Sequence, residues 1–352
     1  MGDIVSVLVT GLTTGSTIAL VALGINIIFA TTRIVNFAQG GIVVAAGYMA
    51  FVFTAPDRLG LNVWLAFVLV VVVGIVLGVF VDLWGISPLG GFRAADNPGW
   101  VLMTVSLILV IGAWAIWSAP FLIYIGVLGL FAGLLWEFFR AAPSGKFDPQ
   151  TNISWIITTF AIGTLLIPAV VSKAITSSSE KIPDLVGGVA TRAAAVPITW
   201  SDVFIVVFAI GLMVLIELFL NRTMTGRAFH AVSQDRQTAS LMGINVSRVV
   251  IMAFAIAGAL GAIAAVLIAP KLFVKLENSL TLAFAALIAA VLGGLGSTRG
   301  AVVGAYIVAF VQAIATIYIS AEAGDIIVFA GLLVVLALRP TGLFGRAAVE
   351  KV

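Results

Sequence analysis

Two polar constellations interrupt an otherwise apolar chain. The first is Ser233-Gln234-Asp235-Arg236-Gln237-Thr238-Ala239-Ser240-Leu241-Met242-Gly243, within a charged stretch at 222–248. Ser233 predicts a helix N-cap, Asp235 a first-turn acid and Gly243 a C-terminal stop. Ala239, Leu241 and Met242 give this short helix an apolar patch beside polar Arg236. Such a helix can lie on a membrane surface or fit a groove on a partner, and its residues alone leave both readings open. The second constellation is small and neutral: Thr13-Thr14-Gly15-Ser16-Thr17, and further on Asn36-Phe37-Ala38-Gln39-Gly40-Gly41. Hydroxyls, amides and glycine-bared backbone can hold a zwitterionic or uncharged polar solute without burying a full charge. The same residue types also serve interhelical hydrogen bonding and close packing.

Little else here supports chemistry. With no cysteine, thiol catalysis and thiolate metal sites are excluded, and a single histidine, His230, makes no metal cluster. The phosphate-loop pattern G-x-x-x-x-G-K-[ST] does not occur. Gly293-Gly294-Leu295-Gly296-Ser297-Thr298-Arg299-Gly300 has the glycines but lacks the lysine and follows an Ala-rich run, which fits tight helix packing or a helix break. Asp82, Glu137 and Glu217 fall near the ends of apolar runs, where a surface role is expected rather than a proton relay. The sequence therefore predicts no enzyme, no metal and no cofactor in this chain, and it disfavours ion coupling.

The elements that position these residues are membrane spans. The chain is 62% hydrophobic and 9% charged, with a net charge of +3, and its mean hydropathy is +1.23. A soluble domain of 352 residues cannot bury that much apolar surface, and the charge is not that of a nucleic-acid binder. About 20 apolar residues cross a bilayer core. Runs suited to this lie at 4–32, 34–56, 59–81, 149–172, 202–221, 249–270, 278–298, 300–321 and 323–339. The uncharged stretch 97–136, divided by Pro120, adds two more at 100–118 and 120–138. The fold class expected is an all-α polytopic membrane protein with about 9–11 transmembrane or re-entrant helices. Met1-Gly2-Asp3 lacks a positive n-region, so the first run should remain as a helix. Placing 222–248 in the cytoplasm puts twelve of the eighteen Lys and Arg inside, which sets the N-terminus outside and the C-terminus inside. The outer connection at 172–201 reads as a solvated loop.

The chain resembles the membrane permeases of bacterial branched-chain amino-acid ABC importers, the LivH-like inner-membrane permeases. The resemblance is carried by Gly11 through Gly24, by Asn36-Phe37-Ala38-Gln39-Gly40, and by Gly226-Arg227-Ala228 through Asp235 to Asn245. It continues in Ala290 through Ser297 and in Arg339-Pro340-Thr341-Gly342-Leu343-Phe344-Gly345-Arg346. It implies a single permease domain over 1–352 that pairs with a second homologous permease subunit, forming half of a translocation pathway. It further implies two cytoplasmic ATPase subunits carrying ATP and Mg, and an extracytoplasmic solute-binding protein.

By this resemblance 222–248 is the coupling-helix loop. Ser233, Asp235, Arg236, Ala239, Leu241, Met242 and Gly243 would dock on the ATPase. Thr14, Ser16, Asn36, Gln39, Gly40, Gly293 and Gly294 are the candidates for the substrate pathway. The chain departs from the family at Gln39, where His is usual, at Ile18 for Tyr, at Ala285 for Lys and at Arg299 for Pro. The region 57–139 is longer than is typical and is expected to add a pair of spans. The solute implied is a branched-chain or related amino acid. Relatives of this fold also move urea, short amides and small carboxylates, some aromatic. An ion-coupled secondary transporter and a channel are the readings from other classes.

Overall fold

The computed structural model describes residues 2–56, 58–86, 154–163, 184–193, 196–271 and 278–338. The spans expected at 100–118 and 120–138, and most of that at 149–172, lie outside these residues. Of the described helices, five are long and apolar enough to cross a membrane. The fold is that of a multi-pass all-α membrane protein with one small hairpin.

Helix α1, Gly2–Thr32, is the axis of the bundle. At 1.5 Å per residue its 31 residues span about 46 Å, more than a bilayer core of about 30 Å. From Gly15 to Ile28 every residue is buried, which marks a helix enclosed by others rather than facing lipid. It ends at Arg33, whose φ of 60° turns the chain out of the helix. The next helix, α2 (Gln39–Thr54), starts late. The expected span 34–56 is thus corrected: residues 34–38 form a non-helical turn inside the protein, with Ile34, Asn36 and Ala38 buried. A buried turn needs partners for its amides. Thr32 Oγ1 accepts from the Ile34 amide (3.1 Å) and Asn36 Oδ1 from the Ala38 amide (3.0 Å).

Helix α3, Val63–Phe80, is capped by Asn62 and runs into a π-helical turn, Val81–Ile86. A short helix α4, Ser154–Ala161, is the described part of its region. In its described part, the connection at 172–201 is not the plain loop expected. Val189–Ala193 (β1) and Val196–Thr199 (β2) pair as an antiparallel hairpin. Helix α5, Trp200–Arg222, follows β2 directly, and Thr199 and Asp202 form a reciprocal capping box at its start. Asp202 also pairs with Lys271, beyond the end of a later helix. Burial pushes the Lys271 ammonium below its ordinary pKa, and the Asp184 carboxylate pushes it back up.

Two short helices come next, α6 (Met224–Gln234) and α7 (Arg236–Leu241). They are followed by α8 (Val246–Ile268), α9 (Asn278–Gly293), α10 (Thr298–Tyr318) and α11 (Ala321–Leu338). Helix α1 packs mainly on α10, α8 and α9, while α3 lies along α8. Small residues allow these close crossings. A Cβ at Gly74, Gly78 or Gly258 would run into backbone of the facing helix, and one at Gly293, Gly300 or Gly304 would do so between α9 and α10. The glycine-rich segment 293–300 is therefore a packing seam and turn, as its missing lysine implied. Outward faces are apolar: Val207, Leu215 and Leu218 on α5 and Leu65 and Val68 on α3 are exposed. In water such a belt would be costly, whereas in hydrocarbon it is the solvent-matched surface.

Candidate functional site

The charged segment folds into two short helices set against the bundle. Helix α6 is capped by Thr223, whose Oγ1 accepts from the Gly226 amide at 2.9 Å. Phe229 and Val232 on its inner face are buried in the core. One expectation is corrected here. The N-cap of α7 is Asp235, not Ser233: the Asp235 carboxylate accepts from the amides of Gln237 (2.8 Å) and Thr238 (3.1 Å). Asp235 has the extended backbone a cap requires, at φ −153° and ψ 114°. Ser233 lies inside α6 and donates its hydroxyl to the His230 carbonyl (2.8 Å), so it cannot cap the next helix.

Gly243 ends α7 as expected. Its φ of 83° is the left-handed conformation that glycine adopts without strain. The Ile244 amide donates to the Ala239 carbonyl and the Gly243 amide to the Ser240 carbonyl, both at 3.0 Å, completing a Schellman motif. Ala239 is buried and anchors the helix to the protein. Leu241 and Met242 point the other way, 88% and 79% exposed. A helix of six residues fixed at both ends thus holds two bare apolar side chains clear of the bundle.

Beyond this packing, a hydrogen bond from Arg33 and a charge attraction between Arg236 and Asp82 link the unit to the membrane helices. Arg33, at the end of α1, donates to the Ser233 carbonyl at 2.9 Å, its guanidinium also lying 5.9 Å from the Phe29 ring centre. Arg236, half-buried, faces the charge of Asp82 in the π-turn after α3; burial lowers its pKa and Asp82 raises it. Asp82 was expected at the surface and is instead buried, 2% exposed. It lies in a continuous buried stretch, Gly78–Leu83, so the end of this apolar run is enclosed by the protein rather than set at its surface. Glu217 does sit near the surface, where its carboxylate accepts from Arg299 Nε at 2.7 Å.

The neutral residues divide into two groups. Ser16 is fully buried, donates to the Leu12 carbonyl and meets the Tyr306 hydroxyl at 3.0 Å, so it serves the α1–α10 seam. Gly293 belongs to the α9–α10 crossing, and Gly294 (φ 98°) to the turn between those helices. That turn is clamped by Asn26, a residue the sequence reading passed over. Asn26 Oδ1 accepts from the Gly296 amide (3.0 Å) and Nδ2 donates to the Ser297 carbonyl (2.9 Å). Its one signal was an amide alone in an apolar helix. Thr14 is half-buried on α1, away from the turn at 34–38.

Asn36, Gln39 and Gly40 form the second group, at the break between α1 and α2. Gln39 is fully buried between three helices and donates Nε2 to the Ala257 carbonyl of α8 at 2.8 Å. Gly24 and Gly261 make room for it: an added Cβ would lie 3.1 and 2.9 Å from that nitrogen. Gln39 Oε1 and Asn36 Nδ2 are buried and find no hydrogen-bond partner among the described residues.

A bundle of apolar helices, broken at its centre by a polar turn, defines a multi-pass inner-membrane permease subunit. The family model described as "Branched-chain amino acid transport system / permease component" matches residues 7–89 and 99–336, and the chain belongs to that family. It is 28% identical to the high-affinity branched-chain amino acid transport system permease protein LivH of Escherichia coli K12, covering 97% of this chain and 96% of that one. It is 27% identical to the corresponding BraD protein of Pseudomonas aeruginosa, covering 98% and 97%. A shorter likeness, 33% over 118 residues, joins 30% of it to 34% of the autoinducer 2 import permease LsrC of Salmonella paratyphi B. No solved structure matches.

Proposed function

We propose that the chain is the transmembrane subunit of an ATP-driven importer of branched-chain amino acids, with α7 as the element through which separate ATPase subunits act. The observation that carries this reading is the exposed Leu241–Met242 pair on a helix capped at both ends. Rigid apolar side chains held out in water fit a hydrophobic groove on a partner. The names of the full-length relatives supply the solute class. Segment 222–248 is then cytoplasmic, and the hairpin at 189–199 faces the extracytoplasmic binding protein. A second homologous permease completes the pathway.

The work of nucleotide binding would enter at α7 and pass along two connections. One runs from the Ser233 carbonyl through Arg33 to the end of α1 and the adjoining turn at 34–38. The other runs from Arg236 toward Asp82 and α3. No charge need be buried at the break, because the turn is lined by amides. The test is uptake of radiolabelled leucine into proteoliposomes holding the complete complex and its loaded binding protein. Uptake should require internal ATP, and the permease alone should give none under a Na⁺ or proton gradient. Gradient-driven uptake by the permease alone would overturn the proposal.

A further inference from the structure

The break between α1 and α2 holds an unusual pair of groups. Asn36 is 1% exposed and Gln39 is fully buried. In each side chain one end is committed and the other idle. Asn36 Oδ1 is occupied by the Ala38 amide, which leaves Nδ2 as a free donor. Gln39 Nε2 is occupied by the Ala257 carbonyl, which leaves Oε1 as a free acceptor. These bonds fix which way each amide faces, since a flip would set like groups against each other. An unsatisfied buried amide group is costly, so two at one break in the helices indicate a place that is satisfied by something else. The turn also stands at the N-terminus of α2, a helix of 16 residues, where backbone dipoles favour an oxygen acceptor. Among the described residues, no hydrogen bond at Asn36 or Gln39 involves a charged side chain.

We infer that Asn36 Nδ2 and Gln39 Oε1 form a transient binding point for the zwitterionic backbone of a small amino acid in transit. The donor and the α2 N-terminus take its carboxylate, and the acceptor takes its ammonium. Gly24 and Gly261 lie against Gln39 Nε2 and both amide side chains are buried, so the point is shut until the helices part. This rests on the transport function proposed above and adds the polar groups that meet the solute.

The test uses the complete reconstituted complex and leucine. Asn36→Asp keeps the acceptor for the Ala38 amide but replaces the free donor with oxygen, and Gln39→Met removes the free acceptor together with the donation to Ala257. Each should lower leucine uptake tenfold or more, whereas Thr54→Ala, which loses only a hydroxyl bonded within its own helix, should stay within twofold. The chain has no cysteine, so Val35→Cys, beside the pair and leaving both amides in place, gives this subunit one thiol for a small neutral methanethiosulfonate, in a complex whose partner subunits carry no reactive cysteine. Millimolar leucine should slow that modification at least threefold, and sucrose should not. Uptake by Asn36→Asp within twofold of wild type, or modification of Val35→Cys indifferent to leucine, would overturn the inference while leaving the transport function standing. A wild-type complex that takes up no leucine would overturn both.

Discussion

Replacing Leu241 and Met242 together by serine separates docking from folding. Both side chains are exposed, at 88% and 79%, so the free chain loses almost no burial when they are truncated. Its thermal unfolding in detergent should be unchanged, because surface substitutions of this kind fall within about 0.5 kcal/mol. Buried in a partner groove, each side chain would contribute roughly 1.5–3 kcal/mol. Discounting for incomplete burial, the pair accounts for about 3–4 kcal/mol. At about 1.4 kcal/mol per decade, the ATPase affinity should fall by two to three orders of magnitude. The assay is titration of the purified ATPase subunits onto the permease in nanodiscs, wild type against double variant. An affinity changed less than threefold, with both proteins folded, would refute the argument that this apolar pair is the docking contact.

Other perturbations follow from the same structure. Asp235→Ala removes the cap of α7 and should cost about 1 kcal/mol locally; transport should drop severalfold and Asp235→Asn, which can still accept, should recover most of it. Gly243→Val forces a β-branched residue to a φ of 83° and should uncouple ATP hydrolysis from uptake without preventing assembly. Lys271→Met leaves the Asp202 carboxylate buried without its partner. Because Lys271 is itself about one-third exposed, the loss should be roughly 1–3 kcal/mol rather than the full cost for a deeply buried pair. The double variant Lys271→Met/Asp202→Asn should regain part of that stability in a denaturation series.

Much of the fold was legible because hydrophobic run length is a direct consequence of bilayer thickness. Spans at 4–32, 202–221, 249–270 and 300–321 differ from α1, α5, α8 and α10 by only a few residues. What run length could not register was where backbone leaves the helix while its side chains stay buried. The turn at 34–38 and the π-turn at 81–86 both sit in apolar sequence that run length alone reads as helix. Asp82 was expected at the surface because it ends an apolar run, but the whole stretch Gly78–Leu83 is enclosed by the protein. In the charged segment, Gly243 was readable because only a few residue types tolerate positive φ. The cap was misplaced because Ser233 and Asp235 are both good caps, and only the extent of α6 decides between them. Asn26 clamps its turn across 270 residues of sequence, a contact that local pattern does not contain.

The central claim, that α7 is where ATPase subunits engage the permease, is tested most directly by site-specific cross-linking. Met242→Cys, in this cysteine-free chain, would carry a short photoreactive maleimide in the assembled complex, with Leu215→Cys on the outward face of α5 as the control. The account predicts a cross-link from position 242 to the ATPase subunit in every nucleotide state and none from position 215. No ATPase cross-link at 242, in a complex shown to hydrolyse ATP and import leucine, would contradict it.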